Sequence, residues 1–140
     1  MSLPASKPRS GTVESLYKRR ILVVDDDLSL TKLVSLFLNQ TDTYIVRVEN
    51  NAAKAVSAAE EFRPHLILMD IAMPSMDGGE LASRIRANPA LQSIPIVFLT
   101  GTVTEDEVAE HAGCIGGQRF LAKPFRAEDL INCVVQQLAE

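Results

Sequence analysis

Three consecutive carboxylates, Asp25, Asp26 and Asp27, follow directly on the apolar run ILVV at residues 21 to 24. Such neighbours repel: at an effective dielectric of 20, two carboxylates about 4 Å apart cost roughly 4 kcal/mol. Either they diverge into water or something positive joins them. Three further residues able to do chemistry stand in the same relation to other apolar runs: Asp70 after HLILM, Thr100 after IPIVFL and Lys123 after RFLA. If those runs end at one place, Asp25, Asp26 and Asp70 form a cluster that a hard divalent cation such as Mg²⁺ would neutralise through oxygen ligands. An aspartate shielded in that way can also be a nucleophile towards phosphorus. Asp70 is the best candidate, with Thr100 offering a hydroxyl and Lys123 a point positive charge to phosphoryl oxygens.

Convergence depends on the elements that carry these residues. Strand-length apolar runs (ILVV 21 to 24, YIVRV 44 to 48, HLILM 65 to 69, IPIVFL 94 to 99, RFLA 119 to 122) alternate with segments of helical period. Leu30, Leu33, Val34, Phe37 and Leu38 form one stripe; Ala52, Ala55, Val56, Ala59 and Phe62 form a second. Leu81 and Ile85 mark a third. Thr104 to Glu107 reads as a capping box opening a helix of about two turns before Gly113, and Leu130, Ile131, Val134, Val135 and Leu138 stripe the last. Cys133 projects away from that stripe, which predicts an exposed thiol. The β-α alternation predicts an α/β fold, a doubly wound parallel sheet of five strands with five helices. ILVV, HLILM and IPIVFL are almost wholly apolar, as strands covered on both faces should be, while YIVRV and RFLA carry charge and read as edges. That fits the flavodoxin-like order 2-1-3-4-5, in which ligands bind beyond the carboxyl ends of the strands.

Length and charge narrow the function classes. A chain of 140 residues, 46% hydrophobic and 23% charged, suits one soluble domain. Residues 1 to 19 are rich in Ser, Pro and basic side chains without periodicity and read as an extension or linker, leaving 20 to 140 as the domain. The net charge of −4 hides an asymmetry: the first 20 residues are basic and the rest strongly acidic. An acidic domain argues against direct nucleic-acid binding. No apolar run approaches the roughly 20 residues of a membrane span and no signal peptide is evident, so a cytoplasmic location is expected. His65, His111, Cys114 and Cys133 lack metal-ligand spacing.

The blocks VVDDD, LILMDIAMPSMDG, VFLTG and FLAKPF, in this order and spacing, resemble the signatures of response-regulator receiver domains of two-component signalling. The resemblance spans residues 20 to 140. It implies that Asp25, Asp26, Asp70 and the backbone carbonyl of Ala72 hold Mg²⁺, and that Asp70 accepts a phosphoryl group from a histidine kinase or histidine phosphotransfer protein. Thr100 and Lys123 would bind that group, and Thr100 with Phe120 would act as the switch. It further implies a cis Lys123-Pro124 bond and a signalling domain that catalyses only its own phosphorylation and dephosphorylation. An attached output or kinase domain and a homodimer are compatible with it. Asp27, the third acid, is expected to cap the first helix. The chain departs from the family in its short fourth helix and in Arg126, which stands where a capping Asp or Ser is expected. A rival reading is a haloacid-dehalogenase-type phosphatase with Asp25 and Asp27 as its DxD pair; it would leave Asp70 idle and lacks room for a substrate cap.

Overall fold

The computed structural model describes residues 18–74, 76–101, 114–115 and 118–139. In chain order they form β1 (Arg19–Val24), α1 (Leu28–Asn39), β2 (Tyr44–Glu49), a 3₁₀ turn (Ala52–Lys54), α2 (Ala55–Phe62), β3 (Leu66–Asp70), α3 (Gly78–Ala87), β4 (Ile96–Thr100), β5 (Cys114–Ile115), β6 (Gln118–Ala122) and α4 (Ala127–Leu138). The helix expected over Thr104 to Ala112, the fourth of the expected five, lies outside the described residues, as do residues 1 to 17.

The sheet runs β2-β1-β3-β4-β6-β5. Its first five members are parallel, which is the expected 2-1-3-4-5 order. One correction concerns the edge: the two-residue β5 pairs antiparallel with β6, Cys114 opposite Arg119 and Ile115 opposite Gln118.

Alternation along the central strands divides the core into two layers, since successive side chains of a strand point to opposite faces. Leu22, Val24, Ile67, Met69 and Phe98 face α2 and α3, meeting Ala55, Ala58, Ala59, Leu81, Ala82 and Ile85. Ile21, Val23, Leu66, Leu68, Val97 and Leu99 face α1 and α4, meeting Val34, Leu38, Leu130 and Val134. β1 from Ile21, β3 and β4 are therefore buried on both sides, whereas every residue of β2 is only half-buried. Fully burying one such aliphatic side chain contributes about 1.5–3 kcal/mol, so the three central strands anchor the fold.

The helical stripes are narrower than expected. Leu33 and Val135 are exposed, as are Leu28 and Leu36, while Thr31 and Ala58 are buried instead. Asp27 caps α1, its carboxylate accepting from the Leu30 N–H at 3.1 Å, as expected. α4 starts at Arg126 without a capping oxygen of that residue's own. Asp129, three residues on, accepts from the Arg126 backbone N–H at 3.1 Å and places an acid in the first turn, where the helix dipole favours it. Cys133 is half-buried against the α1 and α4 layer, not exposed.

Candidate functional site

Parallel pairing puts the carboxyl ends of β1, β3, β4 and β6 along one edge. The register is tight: Val24 lies opposite Met69, Asp70 opposite Leu99, and Thr100 opposite Ala122. Asp25, Asp26, Asp70, Thr100 and Lys123 thus share one cleft. Asp25, Asp26 and Asp70 each offer a carboxylate oxygen within 4.8 Å of the others. Asp25, Asp70 and Thr100 are buried, and Asp26 is exposed at the mouth.

Each buried acid is held on more than one side. The Asp25 carboxylate accepts from the Asp27 N–H through Oδ1 (3.0 Å) and from the Lys123 ammonium through Oδ2 (3.2 Å). Its backbone N–H donates to the Glu49 carbonyl at 3.2 Å, and its carbonyl accepts from Asn50 Nδ2 at 2.7 Å. Asp70 Oδ1 accepts from Lys123 Nζ at 3.2 Å and, more weakly, from the Ala72 N–H at 3.4 Å. Lys123 is aimed by its own backbone: its N–H donates to the Thr100 carbonyl at 2.8 Å, and the Lys123-Pro124 peptide is cis, as the resemblance implies.

The electrostatics follow from burial and charge count. Burial pushes the Asp25 pKa up, further helped by Asp70, against the opposing pull of the Asp27 N–H and of Lys123. For Lys123, burial works against the ammonium, yet Asp25 and Asp70 outweigh it and hold its pKa above the ordinary lysine value. Among the described residues, one cation faces three carboxylates. At 4.8 Å or less, each uncompensated pair repels by at least roughly 3 kcal/mol at an effective dielectric of 20. An all-oxygen donor set of this charge fits Mg²⁺, which takes one or two carboxylates and retains several waters.

The loop after β3 is shaped by a close approach. Ala72 bridges to Asp77, and the Gly78 N–H donates to the Ile71 carbonyl at 2.9 Å. A Cβ at Gly78 would lie 2.5 Å from the Asp70 carbonyl oxygen and 2.7 Å from the Ile71 Cα, so only glycine lets α3 start this near the site. Asp77 caps α3 through the Gly79 N–H at 2.9 Å. On β6, the half-buried Phe120 packs on Phe98, ring centroids 5.6 Å apart and tilted by 33°.

Asp25, Asp26, Asp70, Thr100 and Lys123 are therefore brought to this edge, Phe120 lies two residues inside it, and Ala72 follows Asp70 in the adjoining loop. Asp27 is not among the ligating cluster, because its carboxylate caps α1. Sequence reasoning missed Asn50 and Thr31, and it missed the contact that demands glycine at position 78.

Residues 21–135 match the family described as response regulator receiver domain. The chain is 34% identical over 122 residues to the DNA-binding response regulator MtrA of Mycobacterium tuberculosis, covering 86% of this chain and 51% of that protein. It thus spans about half the length of this and other curated regulators that it matches. Among solved structures it is similar to the chemotaxis protein CheY4 of Vibrio cholerae (TM-score 0.73, 29% identity, 86% of this chain and 99% of that one). It is also similar to the receiver domain of the sensor histidine kinase PA1611 of Pseudomonas aeruginosa, determined with a magnesium ion coordinated in the active site cleft (TM-score 0.74, 27% identity, 88% of this chain and 99% of that one). The phosphatase reading finds no support in these matches. The expectation of no nucleic-acid contact gains none either, since MtrA is described as DNA-binding. Among the described residues, no helix is long and apolar enough to cross a membrane.

Proposed function

Because the chain belongs to the response-regulator receiver family and serves as a phospho-accepting domain of two-component signalling, we propose that Asp70 is the residue that takes the phosphoryl group. The observation that carries this is the meeting of Asp25, Asp26, Asp70 and Lys123 at one end of the sheet, with Asp70 closing the central strand. An Asp70 oxygen attacks phosphorus of a phosphohistidine. The new O–P bond forms as the P–N bond breaks, and the imidazole leaves to take its proton from solvent. Lys123 moves from pairing two carboxylates to pairing a phosphoryl oxygen, and Thr100 donates its hydroxyl to another.

Asp25, Asp26, Asp70 and the Ala72 carbonyl are the groups that would hold Mg²⁺. When bound, the cation would offset the negative charge of acids and phosphoryl oxygens together. The added phosphate charge, about −1.5 to −2, then biases Thr100 and Phe120 towards a second arrangement read by a partner or an attached domain. In this reading the domain takes phosphate from a histidine kinase or a histidine phosphotransfer protein. It catalyses only its own phosphorylation and dephosphorylation, and it works in the cytoplasm. The half-length match to longer regulators supports an attached output or kinase domain as the reader of that arrangement over a second copy of the chain.

The test is intact-protein mass analysis with a small acyl-phosphate donor, with and without Mg²⁺. One phosphoryl group is expected on the wild type with Mg²⁺ and none in EDTA. Full labelling in EDTA would overturn the metal assignment. Steady phosphate-ester turnover that survives Asp70→Asn and is lost in Asp25→Asn would restore the phosphatase.

A further inference from the structure

The acid Asp25 is fixed from its backbone as well as from its carboxylate, and the backbone hold comes from a residue on another strand end. Asn50, just past β2, donates through Nδ2 to the Asp25 carbonyl at 2.7 Å and to Thr31 Oγ1 at 3.1 Å. Thr31 in turn donates to the Leu28 carbonyl at 3.1 Å in the first turn of α1. The Asp25 carbonyl can only accept, so the side-chain amide must present its nitrogen there. The peptide it grips joins Asp25 to Asp26, and its orientation sets the direction in which two of the three clustered carboxylates leave the main chain.

We propose that Asn50 is a positioning residue for the acidic cluster, locking the Asp25–Asp26 peptide so that both carboxylates face Asp70. The inference rests on the Mg²⁺ reading above for its functional consequence and on hydrogen bonds alone for its structural one. The Asp27 N–H, which donates to Asp25 Oδ1, reports on whether that carboxylate stays in place. Groups that orient ligands from outside change metal affinity typically by about 10- to 100-fold when removed.

Two variants separate positioning from simple support. Asn50→Ala removes both donations, whereas Thr31→Val removes the acceptor on α1, together with the Thr31 bond to Leu28, and keeps the bond to Asp25. In metal-free protein, amide exchange at Asp27 should accelerate at least about tenfold in Asn50→Ala, while the amide of Leu68 in β3 stays at its wild-type rate. Thr31→Val should leave Asp27 near its wild-type rate. In calorimetric titration with Mg²⁺, Asn50→Ala should bind about tenfold more weakly and Thr31→Val within a factor of about two of wild type. Unchanged exchange at Asp27, equal acceleration at Asp27 and Leu68, or equal effects of the two variants would overturn the proposal. A wild type that binds no Mg²⁺ would refute the metal reading instead, and the exchange experiment would still decide the role of Asn50.

Discussion

The two sides of the cleft are built differently. On the side of β1 and β3, Asp25 and Asp70 end strands buried on both faces, and Asp25 is held by a backbone carbonyl, a side-chain amide, a neighbouring N–H and an ammonium. On the side of β4 and β6, Thr100 is buried, but Phe120 and Lys123 are half-buried and β6 has only a two-residue strand beyond it. Chemistry at phosphorus needs acids whose positions do not vary, and the central strands supply that rigidity. A response to phosphorylation needs a group that can move at modest energetic cost, and such groups belong where packing is incomplete. On the function proposed above, these requirements are separated by strand position, not by domain.

The largest contrast is functional. Asp70→Asn keeps shape and volume while removing the nucleophile, so covalent labelling should vanish with the fold intact by circular dichroism. Thr100→Ala, across the cleft, should still be labelled and should lose mainly the conformational difference between the free and phosphorylated states, seen as smaller amide shifts on β6. Labelling of Asp70→Asn at the wild-type level would mean that the acceptor lies elsewhere, and the assignment of rigid acids to chemistry would collapse.

The next contrast is mechanical and uses the aromatic pair on the β4 and β6 side. Phe98 is almost fully buried on β4, and its truncation to Ala should cost about 3–5 kcal/mol in urea unfolding. Phe120 is half-buried, so its truncation should cost roughly half as much. Equal losses would show that β6 is packed as firmly as β4. Gly78→Ala probes the opposite side. A Cβ there meets backbone rather than a flexible side chain, and the overpacking should cost about 1–3 kcal/mol and slow labelling through displacement of Asp70. A Gly78→Ala protein as stable as wild type would show that the β3 loop yields more easily than its contacts imply.

The difference between the sides also explains what could be read from sequence. β1, β3 and β4 were legible because strands buried on both faces leave unbroken apolar runs, and Asp25, Asp70 and Thr100 because each ends such a run. Asp27 followed from capping chemistry. Asn50 and Thr31 were not legible: a bond between residues 19 or 25 positions apart leaves no periodic mark. The demand for glycine at position 78 was not legible either, since close approach of another segment is invisible without the fold. β5 is too short to show a period, although the Gly-Gly dipeptide before Gln118 is a hairpin signal. Leu33 and Val135 were assigned to the core because stripe counting assumes a wider contact than a helix makes on a sheet.

The smallest effect is expected from the thiol beneath β6, and it measures how dry that side is. Burial pushes the Cys133 pKa up from 9.0 to about 11, with Arg119 on β6 pulling weakly the other way. Between those values the unfolded chain loses its thiol proton while the folded one keeps it, so the unfolded state binds fewer protons and stability falls as pH rises. At pH 10 this amounts to about 1.4 kcal/mol, one pKa unit of differential protonation. Lys123, also raised, adds a loss that sets in higher, above the ordinary lysine range. Cys133→Ala removes the first contribution and leaves the second, so its unfolding free energy should decline less steeply than that of wild type from pH 9 to 10, whatever its absolute value. Parallel slopes would mean that the thiol titrates as if in water, and that α4 covers β6 far less completely than it covers β4.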